Sequence, residues 1–241
     1  MIGLVLALLL AAPLPPAAHP VYLYRASLVQ AAPGKLLELI DLYRTLRAAA
    51  AESGDEVPVW MRHSQGDRWD LLLLFPMGSY ADYHAPARSA KREKAARSRD
   101  GAFSRLRDLV AWQEDVFVFG PPLEELRGRA ASAGFFHVEM FHALPGRQAD
   151  LYREREMENA YLKALGRPQN AIFVRDQGAA WDLFTIGFYR DVKHYAESAD
   201  IPPASQEGAA RAAGFEDVRA IGPYLRTLIG SHHDTLAVAI P

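Results

Sequence analysis

The chain repeats itself at a fixed distance, and that repeat restricts its fold more than any other feature. Pro33-Gly34, Gln65-Gly66, Trp69-Asp70-Leu71, Tyr83 and Phe103 recur as Pro145-Gly146, Gln177-Gly178, Trp181-Asp182-Leu183, Tyr195 and Phe215. The spacing is constant, since 145 − 33, 181 − 69 and 215 − 103 all give 112. Alanines can coincide by chance in a chain this rich in them. Trp-Asp-Leu occurring twice, in a chain with four tryptophans, marks a tandem duplication.

Within each copy the hydrophobic period switches between two values. Residues 21–30 alternate, with Tyr22, Tyr24, Ala26 and Leu28 on one side and Arg25 and Ser27 on the other, which is a strand with one apolar face. Pro33-Gly34 ends it. Residues 35–51 place Leu36, Leu39, Ile40, Tyr43 and Leu46 at helical spacing. Strands are expected at 57–64 and 69–75, joined by Gln65-Gly66-Asp67, whose glycine suits a hairpin turn. Ser79 can cap a helix through Tyr80 and Tyr83. Residues 88–107 read as a basic helix in two pieces parted near Asp100-Gly101, and 116–119 as a fourth strand. The second copy follows suit: strand 135–144, helix 147–165, hairpin 170–176 and 181–188, helix 192–199, a looser Pro/Ala-rich stretch from Ile201, helix 215–229 broken at Gly222-Pro223, and strand 235–240. Here the offset drifts. Asp115 corresponds to Asp234, and 234 − 115 is 119, which implies a short insertion near Gly230-Ser231-His232-His233.

Each copy is therefore β-α-β-β-α-β, the split arrangement of the ferredoxin-like fold. Helices cover one face of such a sheet, and the other face needs a partner. Two tandem copies can supply it to each other, so the expected fold is α+β: two ferredoxin-like repeats, 21–120 and 135–241, with a connector at 121–134, forming a fused α+β barrel. The apolar side of each first strand (Tyr24, Ala26 and Leu28, or Phe136, Val138 and Met140) is expected to meet the helices. The other side is expected to face the barrel interior.

Tandem units of this order, an aromatic-Asp start to the third strand, and Tyr-x-x-Tyr-His in the helix after it (Tyr80, Tyr83 and His84) resemble the dimeric α+β barrel superfamily. That group includes antibiotic-biosynthesis monooxygenase domains, the EthD and NIPSNAP families and the two-repeat chlorite dismutase-like haem proteins. The resemblance implies a pocket between sheet and helices or inside the barrel. It also implies cofactor-free oxygenase or related chemistry or, alternatively, a haem held by one histidine such as His194 or His232. The superfamily spans several chemistries, so a non-catalytic interaction module is a third reading.

Composition narrows the partners. A net charge of −2 argues against a general nucleic-acid binder. The absence of cysteine excludes disulfides, thiolate metal sites and a cysteine nucleophile. Residues 2–12 form an apolar run too short to span a bilayer but suited to the centre of a signal peptide, with small residues at Ala17-Ala18. Residues 1–20 thus read as an export signal, the mature protein as periplasmic or secreted without a stable membrane span, and further assembly into a homo-oligomer is compatible with the fold.

Candidate site residues follow from the first strand of copy two. His137 and Glu139 lie two apart and share a face with Phe141. They form either a general base or two metal ligands, or else a buried ion pair with Arg25 or a solvent-facing edge. On the following helix, Leu42, Tyr43 and Leu46 of copy one become Glu154, Arg155 and Glu158. Glu154 and Glu158 are i, i+4 neighbours that can hold a proton or a metal, or simply sit on a solvated, ion-pairing face. His232-His233-Asp234 offers a further histidine to such a group. With Arg25, Ser27, Phe141, Glu154, Glu158, Trp181 and Phe184 as lining, the reading is a small, largely apolar ligand held in the barrel with one polar handle, His137 and Glu139 as the proton-managing pair, and no cofactor or metal assigned. Trp69, Trp181, Asp70 and Asp182 recur in both copies, which favours structural roles. The basic stretch Arg88, Lys91, Arg92, Lys94, Arg97, Arg99 is either a solvated helix or an anionic-surface contact.

Overall fold

The computed structural model describes residues 21–48 and 50–240, so the expected signal peptide lies outside the described residues. In the first half, β1 (Tyr22–Ala31) leads to α1 (Leu36–Ala48), then the hairpin β2 (Val59–Gln65) and β3 (Leu71–Gly78). Short α2 (Tyr80–Tyr83), α3 (Pro86–Arg97) and α4 (Asp100–Leu109) precede β4 (Val110–Gly120). After α5 (Leu123–Ala131), the second half runs β5 (Phe135–Ala143), α6 (Gln148–Ala164), β6 (Ala171–Gln177), β7 (Leu183–Tyr189), α7 (Val192–Ala196), α8 (Pro203–Ala212), α9 (Ile221–Arg226) and β8 (Ile229–Val238). The Ser79 cap forms, its hydroxyl accepting from the Asp82 N–H.

Four segments differ from expectation. The connector carries α5, and the stretch from Ile201 carries α8, started by Pro203 in its first turn, where a missing N–H does no harm. Strands β4 and β8 both begin earlier than their apolar runs, because their first halves alternate with polar residues and pair with the ends of β1 and β5. Both 229 − 110 and 234 − 115 give 119, so the seven extra residues lie ahead of β8 rather than at Gly230 to His233.

All eight strands close into one antiparallel barrel in the order β1-β3-β2-β8-β5-β7-β6-β4. Each half contributes a ferredoxin-like sheet, β4-β1-β3-β2 or β8-β5-β7-β6. Edge pairing of β2 with β8 and of β4 with β6 joins them.

The barrel interior is a filled apolar core. Tyr24, Ala26, Leu28, Phe136, Val138 and Met140 all point into it, together with Trp69, Trp181, Phe173 and Phe184. The assignment of strand faces is thus the reverse of the sequence expectation. The reason is solvation. The barrel interior is enclosed on every side, so it takes the continuous apolar set. The helix side is covered less completely, and it tolerates Arg25, Ser27, His137 and Glu139.

The repeated motifs hold this arrangement with approximate twofold symmetry. Asp70 Oδ2 accepts from the Ala31 N–H at 2.8 Å, and Asp182 Oδ2 accepts from the Ala143 N–H at 2.8 Å. Each aspartate thereby satisfies a backbone donor at the end of its first strand. Gly66 and Gly178 sit in the two hairpins at φ +123° and +89°. A Cβ on Gly66 would lie 2.2 Å from the Asp234 carbonyl oxygen, and one on Gly178 would lie 3.0 Å from that of Asp115. Each hairpin glycine thus admits the last strand of the other half.

Candidate functional site

On the helix side of the second half, β5 and β8 lie in register with Glu139 opposite Asp234 and Phe141 opposite His232. Period-two geometry puts His137, Glu139 and Phe141 beside Asp234 and His232 on one face. His137 Nε2 is 3.3 Å from Asp234 Oδ1, and His232 Nε2 is 3.1 Å from Asp234 Oδ2. Thr185, on β7, donates its hydroxyl to Glu139 at 3.2 Å. The His232 ring stacks on Phe141.

Helix α6 lays a Glu-Arg-Glu set over this floor. Arg155 donates to both oxygens of Glu154, at 2.6 and 2.8 Å, and meets Glu158 at 2.5 Å and Glu139 at 3.7 Å. Its guanidinium lies 4.7 Å from the centre of the Phe141 ring. Glu154 and Arg155 are buried, so this face of α6 is not a solvated one. Burial raises the Glu139 carboxyl above its ordinary range against the pull of Arg155, with the Asp234 charge adding to the rise. Burial also pushes Glu158 up to about 7, again opposed by Arg155. The His137 imidazole is lowered by burial, which outweighs the attraction of Asp234. Burial works against the charge on Arg155, but Glu158, Glu154 and Glu139 outweigh it and raise its pKa.

The same three sheet positions in the first half are Arg25, Ser27 and Asp115, with Ser27 opposite Asp115. The Ser27 hydroxyl donates to Asp115, and Arg25 stands 3.6 Å from that carboxylate. Here α1 brings Tyr43 where α6 brings Arg155, and a cavity of about 340 Å³ remains between sheet and helices. Its walls include Tyr43, Leu46, Phe75, Leu106, Arg25 and Arg47. Arg25 lies over Phe75 at 4.4 Å and Arg47 over Trp60 at 4.5 Å. The Nε of each arginine is buried and has no hydrogen-bond partner. Burial pushes the Tyr43 hydroxyl up to about 12.

The predicted site residues therefore fall into three places. His137, Glu139, Phe141, Glu154 and Glu158 converge around Arg155. Arg25 and Ser27 belong to the first-half cavity. Trp181 and Phe184 pack in the barrel core, away from both. The basic stretch on α3 is partly structural, because Arg88 and Arg92 pair with Asp55 at 2.9 and 3.5 Å. Sequence reasoning offered a histidine of the His232-His233-Asp234 run to His137 but missed Arg47, Thr185 and the part of Asp234 itself. The drift from 112 to 119 was the available signal for the last, since it aligned Asp234 with Asp115.

The two histidines expected as haem ligands lie in the second half, each with neighbours of its own. The Nδ1 of His194 accepts from the Arg190 N–H at 3.1 Å and its Nε2 is 3.9 Å from Glu197. His232 is held at both nitrogens, 3.3 Å from Arg226 and 3.1 Å from Asp234. Neither ring lines the first-half cavity of about 340 Å³.

No family model and no curated protein matches the sequence. Solved structures do. An anthrone oxidase-like protein superimposes with a TM-score of 0.60 at 11% identity, over 92% of this chain and 93% of that one. A candidate monooxygenase from Lactobacillus acidophilus gives 0.52 at 6% identity, over 90% and 93%. Another from Fusobacterium nucleatum subsp. nucleatum gives 0.52 at 7% identity, over 92% and 94%. The likeness is one of fold, a closed eight-stranded antiparallel α+β barrel with both ferredoxin-like halves carried on one chain.

Proposed function

We propose that this is a small-molecule binding protein whose ligand occupies the first-half cavity and has an apolar, aromatic body with one acidic group. One observation carries this reading: Arg47 and Arg25 stand in the wall of a cavity with Tyr43, Leu46, Phe75 and Leu106, while the charged groups around the rest of it are already paired, Asp55 with Arg92, Glu56 with Arg127 and Arg99 with Glu52. A guanidinium in a crevice largely shielded from water favours an anionic partner, and a carboxylate, phenolate or enolate oxygen would supply one. The sequence reading placed the ligand in the barrel. The filled core moves the proposal to the crevice between sheet and helices.

The test is a titration of the full chain with 2-naphthoate and with its carboxamide, followed by thermal stability and by tryptophan emission, Trp60 lying beside Arg47. The acid is expected to raise the melting temperature by mass action. Arg47→Gln is expected to weaken it roughly 10- to 100-fold. Equal binding of acid and amide, or no loss in Arg47→Gln, would end the proposal.

As the reaction, we propose oxygenation of the bound molecule without a cofactor. The arginine pair favours the anion of a phenol or enol, the form that O2 oxidises, so that a ring methylene becomes a carbonyl and water is released. The neighbours described as an anthrone oxidase-like protein and as candidate monooxygenases support this class of reaction. Oxygen uptake with an anthrone as substrate tests it, and no uptake above the uncatalysed rate would leave binding alone. The apolar run at residues 2–12 supports export; amino-terminal sequencing of the mature protein tests that, an intact Met1 being the contrary result.

A further inference from the structure

We propose that His137, Glu139 and Asp234 form a binding site for a divalent first-row transition-metal ion, independent of the ligand cavity in the other half. One donor atom from each of the three lies within 4.8 Å of the others. His137 Nε2 and Asp234 Oδ1 are already 3.3 Å apart. Donors bound to one ion at about 2.1 Å stand on the order of 3.4 Å from each other, so only a small rotation of Glu139 is needed. One imidazole and two carboxylates, with no sulfur, suit Zn²⁺ or Mn²⁺ rather than a thiophilic ion.

Two further observations point to a cation here. The first is the comparison with the other half. Asp115 has Arg25 beside it at the position His137 takes beside Asp234. The first half thus sets a guanidinium beside the aspartate, where the second sets an imidazole able to act as a ligand. The second is the local balance of charge. Glu139, Glu154 and Glu158 share one guanidinium, Arg155, which is bound on two sides by Glu154 and Glu158, and Asp234, opposite Glu139, is met by the rings of His137 and His232. The supporting contacts of a metal site are also present: the Thr185 hydroxyl fixes Glu139, and His232 Nε2 fixes the second oxygen of Asp234. Asp234 is half exposed, which leaves an entry path.

The experiment is calorimetric titration of the full chain, stripped with chelator, with Zn²⁺ and Mn²⁺, together with Co²⁺ absorption spectroscopy. One ion per chain is expected, with a visible Co²⁺ band and a rise in melting temperature that chelator reverses. His137→Ala and, as a gentler change, Glu139→Gln are expected to weaken binding at least roughly 100-fold. His233→Ala, whose ring points away from this face and meets Asp67 at 3.6 Å, is expected to bind as the parent does. No uptake, or uptake that survives Glu139→Gln with its fold intact by circular dichroism, would overturn the site. So would uptake abolished by His233→Ala, which would assign the ion to an exposed histidine. None of these results bears on naphthoate binding at Arg47.

Discussion

The two halves share a backbone plan but differ in what they place between sheet and helix. In the first half, α1 brings Tyr43 over Arg25, Ser27 and Asp115, and a cavity of about 340 Å³ stays open. In the second, α6 brings Glu154, Arg155 and Glu158 over His137, Glu139 and Asp234, and the arginine ties them together. Duplication produced two equivalent crevices, and three substitutions on one helix and two on one strand made one a candidate ligand chamber and the other an ionic cluster. The barrel core shows no such divergence. Trp69 and Trp181, and Tyr24 with Phe136, pack alike in it. A site can change without loss of fold where it faces the helices rather than the shared core.

Removing the central cation should break the comparison most severely. Arg155→Met strands Glu154 and Glu158 in the interior and is expected to lower stability by about 3–5 kcal/mol in chemical denaturation. Tyr43→Phe, at the equivalent place, should change it by less than about 1 kcal/mol. A loss of equal size in both would mean that the two crevices are not built differently.

The next effect is a pH dependence confined to the second half. Glu158 titrates near 7 in the folded chain against an ordinary 4.5, with burial as the cause. The folded state therefore holds this proton more tightly than the unfolded one. Its contribution is fully present below about 4.5 and is lost as the pH rises through about 7. Stability in the presence of chelator should fall across that window by on the order of 2 kcal/mol, and Glu158→Gln should flatten the curve. A curve that rises over the same window would contradict the sign.

The hairpin glycines sharpen the comparison at the joints. Gly66→Ala drives a Cβ into the Asp234 backbone and should cost roughly 1–3 kcal/mol. Gly178→Ala meets Asp115 less closely and should cost about 1 kcal/mol, chiefly for its positive φ. The smallest difference is expected at the strand clamps. Asp182 also holds Arg175 at 2.8 Å, and the position equivalent to Arg175 in the first half is His63. Asp182→Ala should therefore exceed Asp70→Ala by about 0.5–1 kcal/mol in urea melts.

The fold was legible because its signals are local and occur twice: Trp-Asp-Leu, the hairpin glycines and the change of hydrophobic period. Which strand face turned inward was not legible. Both faces of β5 carry aromatic residues, Phe136 on one and Phe141 on the other, and only closure of the ring decides which is enclosed. The Glu154–Arg155–Glu158 set was visible as a departure from the other copy. Its partnership with Asp234 depends on β8 lying beside β5, ninety-odd residues away along the chain. Arg47 gave no signal at all. It follows the apolar stripe of α1 as an ordinary basic residue near a helix end, and only the fold places Trp60 beneath it.

The ring order has a consequence for how the chain is made. Strand β8 pairs with β5 and also with β2, and it is the last to be synthesised. Until it arrives, β2 presents bare amides and carbonyls along one border of an otherwise assembled sheet, an invitation to adhere to other nascent chains. A message truncated before Ile229 would leave that border permanently open. The final ten residues of the barrel thus act as a fastener that protects the first half from aggregation.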